Sequence, residues 1–76
     1  MENFNNEKVN KVIAFLTKEY PDGIQMFDCA NWCGDPTETI YEEDGVTIDA
    51  CYYYGYVEIF GLTDEEFDYV NEKCGD

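Results

Sequence analysis

Residues 37–53, TETIYEEDGVTIDACYY, hold the reading on which the fold turns. Two runs rich in β-branched and aromatic residues, Thr37 to Glu43 and Val46 to Tyr53, flank Asp44-Gly45. Asp-Gly between two such runs signals a two-residue hairpin, because both turn positions need positive φ. Side chains alternate between the faces of a strand. Val46, Ile48, Ala50 and Tyr52 therefore share one face, and Thr47, Asp49, Cys51 and Tyr53 the other. Tyr54-Gly55 is a second turn, and Tyr56 to Phe60 a third strand with Val57 and Ile59 toward the core. Ile24 to Asp28 is a short apolar segment, expected as an edge strand.

Helices bracket these strands. Val9, Val12, Ile13, Leu16 and Tyr20 recur at helical spacing. Asn5 is placed as N-cap, Phe4 and Val9 as a hydrophobic staple, and Pro21 as the stop. At the other end Thr63-Asp-Glu-Glu66 is a capping box. The helix it opens runs to about Lys73, with Phe67, Val70 and Cys74 on one face. The expected fold is α+β: an N-terminal helix, a three- or four-stranded antiparallel sheet and a C-terminal helix. Its 76 residues leave room for one compact domain, residues 1–76.

The charge is lopsided. Eighteen acidic residues face four lysines, with no Arg or His, for a formal net charge of −14. From Glu19 to Glu72 there is no cation at all. Such a domain repels nucleic acid, since every phosphate meets a like charge, and attracts proteins that hold nucleic acid. Solubility alone is met by a net charge of magnitude about 2–8 with both signs interspersed. The excess points to a function. The acids expected at a partner surface are Glu42, Glu43, Asp44, Asp49 and Glu58 around the hairpin and sheet. Asp64, Glu65, Glu66 and Asp68 join them at the start of the last helix. Seven tyrosines interleave with them. Tyrosine suits interface hot spots, though Tyr52, Tyr53, Tyr54 and Tyr56 are also good strand formers.

A chain this small meets an ordering cost of roughly 1.5 kcal/mol per residue, and usually leans on disulfides, a metal or oligomerisation. Cys29, Cys33, Cys51 and Cys74 are the candidates. Three readings are open. One is a structural Zn²⁺ held by all four thiolates, with Cys29 and Cys33 on one knuckle whose spacing is C-x₃-C. The others are two disulfides, or separate buried thiols. The zinc site is the expectation carried forward.

Catalysis is not expected. There is no His to activate a thiol or hydroxyl, no Gly-rich phosphate loop and no metal-plus-His site. Residues 42–45 lack the spacing of an EF-hand loop. The N-terminus, MENFNNEK, has no apolar h-region, and no apolar run approaches the roughly 20 residues of a membrane span. The expected location is the cytosol of a host cell, with no membrane and no direct nucleic-acid contact.

The acidic stretch Glu38 to Glu72 together with the four cysteines resembles the small phage-borne anti-CRISPR proteins. It is similar in particular to acidic inhibitors of Cas9, among them a zinc-binding one. That resemblance implies inhibition by binding, at a PAM or guide-duplex groove or at a lobe needed for target DNA loading, with a Cas9-type nuclease as partner. Two other readings stand beside it. One is a DNA-mimic inhibitor of another DNA-binding enzyme, such as a restriction enzyme. The other is a zinc-stapled adaptor, or a small secreted disulfide domain, whose charge serves only solubility.

The thiol readings separate by mass. Denaturing alkylation followed by intact-mass measurement should modify every cysteine of a zinc-bound or free-thiol chain. Each disulfide would instead block two sites and remove two hydrogens.

Overall fold

Val9, Val12 and Leu16 lie on one stripe of the first helix, and all three are fully buried. The computed structural model that places them describes residues 6–29, 37–51 and 55–75. The elements are α1 (Asn6–Glu19), β1 (Gln25–Phe27), β2 (Glu38–Glu43), β3 (Val46–Cys51), β4 (Tyr56–Phe60) and α2 (Asp64–Cys74). α1 ends ahead of Pro21, as a proline stop requires. The proposed cap and staple residues, Asn5 and Phe4, lie outside the described residues, as do Tyr52, Tyr53 and Tyr54.

The Asp44-Gly45 turn closes the β2–β3 hairpin with both residues at positive φ, 56° and 81°. Gly61 packs against that turn. Its φ is +98°, and a Cβ there would run into the carbonyl oxygen of Gly45, so only glycine fits.

The sheet runs β1-β4-β3-β2 and is mixed, where an antiparallel one was expected. β2–β3 and β3–β4 are antiparallel, but β1 pairs with β4 in parallel, Gln25 beside Tyr56 and Phe27 beside Glu58. A parallel pair needs a long connection. Everything between Phe27 and Tyr56, the whole hairpin included, supplies it. A parallel bridge between Ile24 and Gly75 then ties the end of α2 to the start of β1.

Both helices cover one face of the sheet. Met26, Val46, Ile48, Ala50, Val57 and Ile59 form a single apolar cluster with the α1 stripe and with Phe67, Val70 and Cys74 of α2. The pairing of β2 with β3 shifts between Thr39 and Tyr41. The shift turns Tyr41 toward the helices, opposite Ile48, where its ring meets Phe15 at 5.0 Å between centroids. The other face of the sheet carries Phe27, Asp49, Cys51, Tyr56 and Glu58.

The capping box forms as read. Thr63 Oγ1 accepts from the Glu66 backbone N–H at 3.2 Å, and Glu66 Oε1 accepts from the Thr63 N–H at 2.8 Å. The same Oε1 lies 3.2 Å from Lys8 Nζ on α1. Glu66 is 2 % exposed, so its carboxylate is held inside by one cap and one ion pair.

Thr63→Ala is expected to cost about 1 kcal/mol and to lower the melting temperature by about 4–8 °C. Lys8→Met leaves the Glu66 carboxylate buried without its ammonium and is expected to cost about 1–3 kcal/mol. Thermal and urea melts of both variants check these values.

Candidate functional site

The three described cysteines, Cys29, Cys51 and Cys74, do not meet at one point. Cys74 lies on the helix side of the sheet, in the apolar cluster, where its Sγ is 3.8 Å from Thr17 Oγ1 and donates to the Ile13 carbonyl at 3.8 Å. Cys51 follows Ala50 in β3 and so turns to the opposite face, across from Tyr56. Zn–S bonds of about 2.3 Å hold tetrahedral sulfurs less than about 4 Å apart. Cys51 and Cys74, on opposite faces of the sheet, do not meet those terms together. Cys29 is exposed just after β1, at the end of that strand level with Glu58, whereas Cys51 is level with Gln25. Cys33 lies outside the described residues. Cys29, Cys51 and Cys74 form no disulfide with one another. Among the described residues no three Cys, Asp or Glu side chains converge on a metal-sized site.

The nine acids expected at a partner surface divide by location. Glu66 is buried in its cap and ion pair. Glu58 is 6 % exposed, on the sheet face away from the helices and directly opposite Asp49. Neither offers a carboxylate to a partner. Asp49 is half-buried and accepts from Thr39 Oγ1 at 2.7 Å. Glu42 is exposed on the same face, opposite Thr47. Glu43 and Asp44, at the hairpin tip, converge on Lys11 Nζ at 2.9 and 3.4 Å. That contact holds the Lys11 ammonium well above its usual range, chiefly through hydrogen bonds to the two carboxylates. Burial, with Glu43 and Asp44 next, pushes the Tyr41 hydroxyl up as well.

Asp64, Glu65 and Asp68 stand exposed on α2, and Glu72 joins them. The i, i+4, i+8 spacing of Asp64, Asp68 and Glu72 places their carboxylates about 6 Å apart along the helix. None of these four acids makes an ion pair among the described residues. The nearby Lys73 ammonium sits 5.4 Å over the Tyr69 ring. The α2 face looks away from the sheet, so it and the Glu42–Asp49 surface lie on opposite sides of the molecule. The expected single patch is therefore two.

Glu72 and the masking lysines were not among the expected site residues. Glu72 was legible as the third step of the i, i+4, i+8 stripe on α2. Lys11 was not, since nothing local links it to a turn more than thirty residues away.

Compared with protein-family models, with curated proteins and with solved structures, the chain matches none. Among the described residues no helix is long and apolar enough to cross a membrane.

Because Cys74 is packed as a small apolar side chain, Cys74→Ala should leave the metal content per chain equal to that of the unmodified protein. Elemental analysis of the two side by side tests this, and a loss of metal on substitution would put the Cys74 thiolate in a coordination sphere.

Proposed function

We propose that the chain is a non-catalytic inhibitor that binds the basic, nucleic-acid-handling surface of a Cas9-type nuclease and blocks loading of target DNA. One observation carries the reading. The outward face of α2 presents Asp64, Glu65, Asp68 and Glu72 with no ion pair among the described residues. The helix is fixed in place by the buried Phe67, Val70 and Cys74. A duplex strand carries a phosphate about every 3.4 Å of rise, and the stripe a carboxylate about every 6 Å on a similarly rigid rod. A cleft lined by Lys and Arg to hold a guide–target duplex or a PAM duplex meets complementary charge there. Complementarity of that kind speeds association and excludes the competing polynucleotide. The site of action is the cytosol of the host cell, where such nucleases work.

The test is inhibition of target cleavage by the purified chain against a panel of DNA-handling enzymes. Asp64→Lys, Glu65→Lys and Asp68→Lys combined should weaken inhibition by at least about tenfold, while Glu42→Lys has the smaller effect. Inhibition should fall steeply between about 50 and 200 mM salt. Inhibition of a restriction enzyme but not of Cas9 would move the reading to another DNA-binding target. Binding unaltered by salt and by the lysine substitutions would favour an adaptor whose acids serve solubility.

A further inference from the structure

We propose that Asp44-Gly45 is the site of spontaneous backbone isomerisation in the folded chain, and that the fold withholds the same chemistry from Asp22-Gly23. The sequence has these two Asp-Gly steps. In either, the backbone nitrogen of the glycine can attack the aspartyl Cγ. The new N–Cγ bond closes a five-membered imide, and the amide proton leaves with a carboxyl oxygen as water. Water then adds back. Opening at Cγ restores aspartate, and opening at the former backbone carbonyl carbon leaves the chain running through Cγ as isoaspartate. One water is released and one taken up, and no other reactant enters. Glycine favours the closure in both cases, since no Cβ crowds the attacking nitrogen.

What separates the two steps is the state of that nitrogen. The Gly23 N–H donates to the Tyr20 carbonyl at 2.9 Å, and Gly23 is half-buried. Attack from there requires that the bond break and the turn open first. The Gly45 N–H makes no hydrogen bond among the described residues. Gly45 is exposed, and nothing lies within 4 Å of where its Cβ would stand. The Gly61 contact falls on the Gly45 carbonyl. The Asp44 side chain is 48 % exposed, so water reaches both ends of the reacting pair. Lys11 Nζ occupies one carboxylate oxygen, Asp44 Oδ2, at 3.4 Å. That ion pair is exposed and weak, so it slows the closure without preventing it. Isoaspartate adds one carbon to the main chain of a two-residue turn, and the product loses the pairing of Glu43 with Val46.

The test is ageing of the unmodified chain near neutral pH, folded in buffer and unfolded in guanidinium chloride. Asp-N endoproteinase cuts before aspartate and not before isoaspartate, so digestion followed by mass measurement reads the two sites separately. Methylation by protein isoaspartyl methyltransferase verifies the product. In the folded chain, isoaspartate should accumulate at Asp44 at least about fivefold faster than at Asp22. In denaturant, where neither nitrogen is held, the two rates should agree within about twofold. Equal folded rates, a faster Asp22, or a folded chain that stays unmodified at Asp44 while its unfolded form reacts would overturn the proposal. An excess at Asp44 that persists undiminished in denaturant would overturn it too, because local sequence rather than the fold would then set the difference.

Discussion

Glu66 is the hinge of the charge distribution. In a chain with so few cations, a buried carboxylate must find its partners locally, and Glu66 finds Thr63 on its own helix and Lys8 on the other. Its inward turn fixes the rotation of α2. With Glu66, Phe67, Val70 and Cys74 directed into the molecule, helical geometry sends Asp64, Glu65, Asp68 and Glu72 out. The acid face is therefore a by-product of how the core is filled, and its rigidity is that of the core. Buried ion pairs are poor sources of net stability but costly to break. That combination suits an element whose orientation matters more than its strength.

Most of the fold was legible because its signals are local. Asp44-Gly45 dictates its turn through backbone sterics, Thr63 and Glu66 satisfy each other within one helical turn, and alternation in Val46–Cys51 separates core from non-core residues. What was hidden depends on long-range placement. Nothing in Gln25–Phe27 says that its neighbour is β4 and that the pairing is parallel. Glu58 sits in a run whose alternation marks it as pointing away from the helices, and alternation cannot reveal that this second face is also closed to solvent there. The cysteines teach the same lesson in reverse. Their pattern invited a common centre, yet Cys51 was already placed with Asp49 rather than with Ile48, and Cys74 with Phe67 and Val70. Read together, those two placements put the sulfurs on opposite sides of a sheet.

The electrostatics follow from where the lysines are. Three of the four occur in α1. Lys8 compensates the cap of α2 and Lys11 the tip of the hairpin, so the helix acts as an internal counter-ion to two acidic elements at once. The outward face of α2 keeps its full charge, while at the hairpin tip one ammonium offsets half the charge of two carboxylates. Counting acids along the sequence treats these two regions alike, and only their ion pairs distinguish them.

The edge formed by β2 has one more consequence. Its register shift near Ile40 bends the strand, and glutamates stand at both ends of it, Glu38 against Glu42 and Glu43. Two such edges brought together antiparallel would set Glu38 of each copy against Glu43 of the other, with no lysine in either strand to relieve the repulsion. Edge-to-edge pairing of β2 between copies, the usual seed of ribbons, is thereby disfavoured.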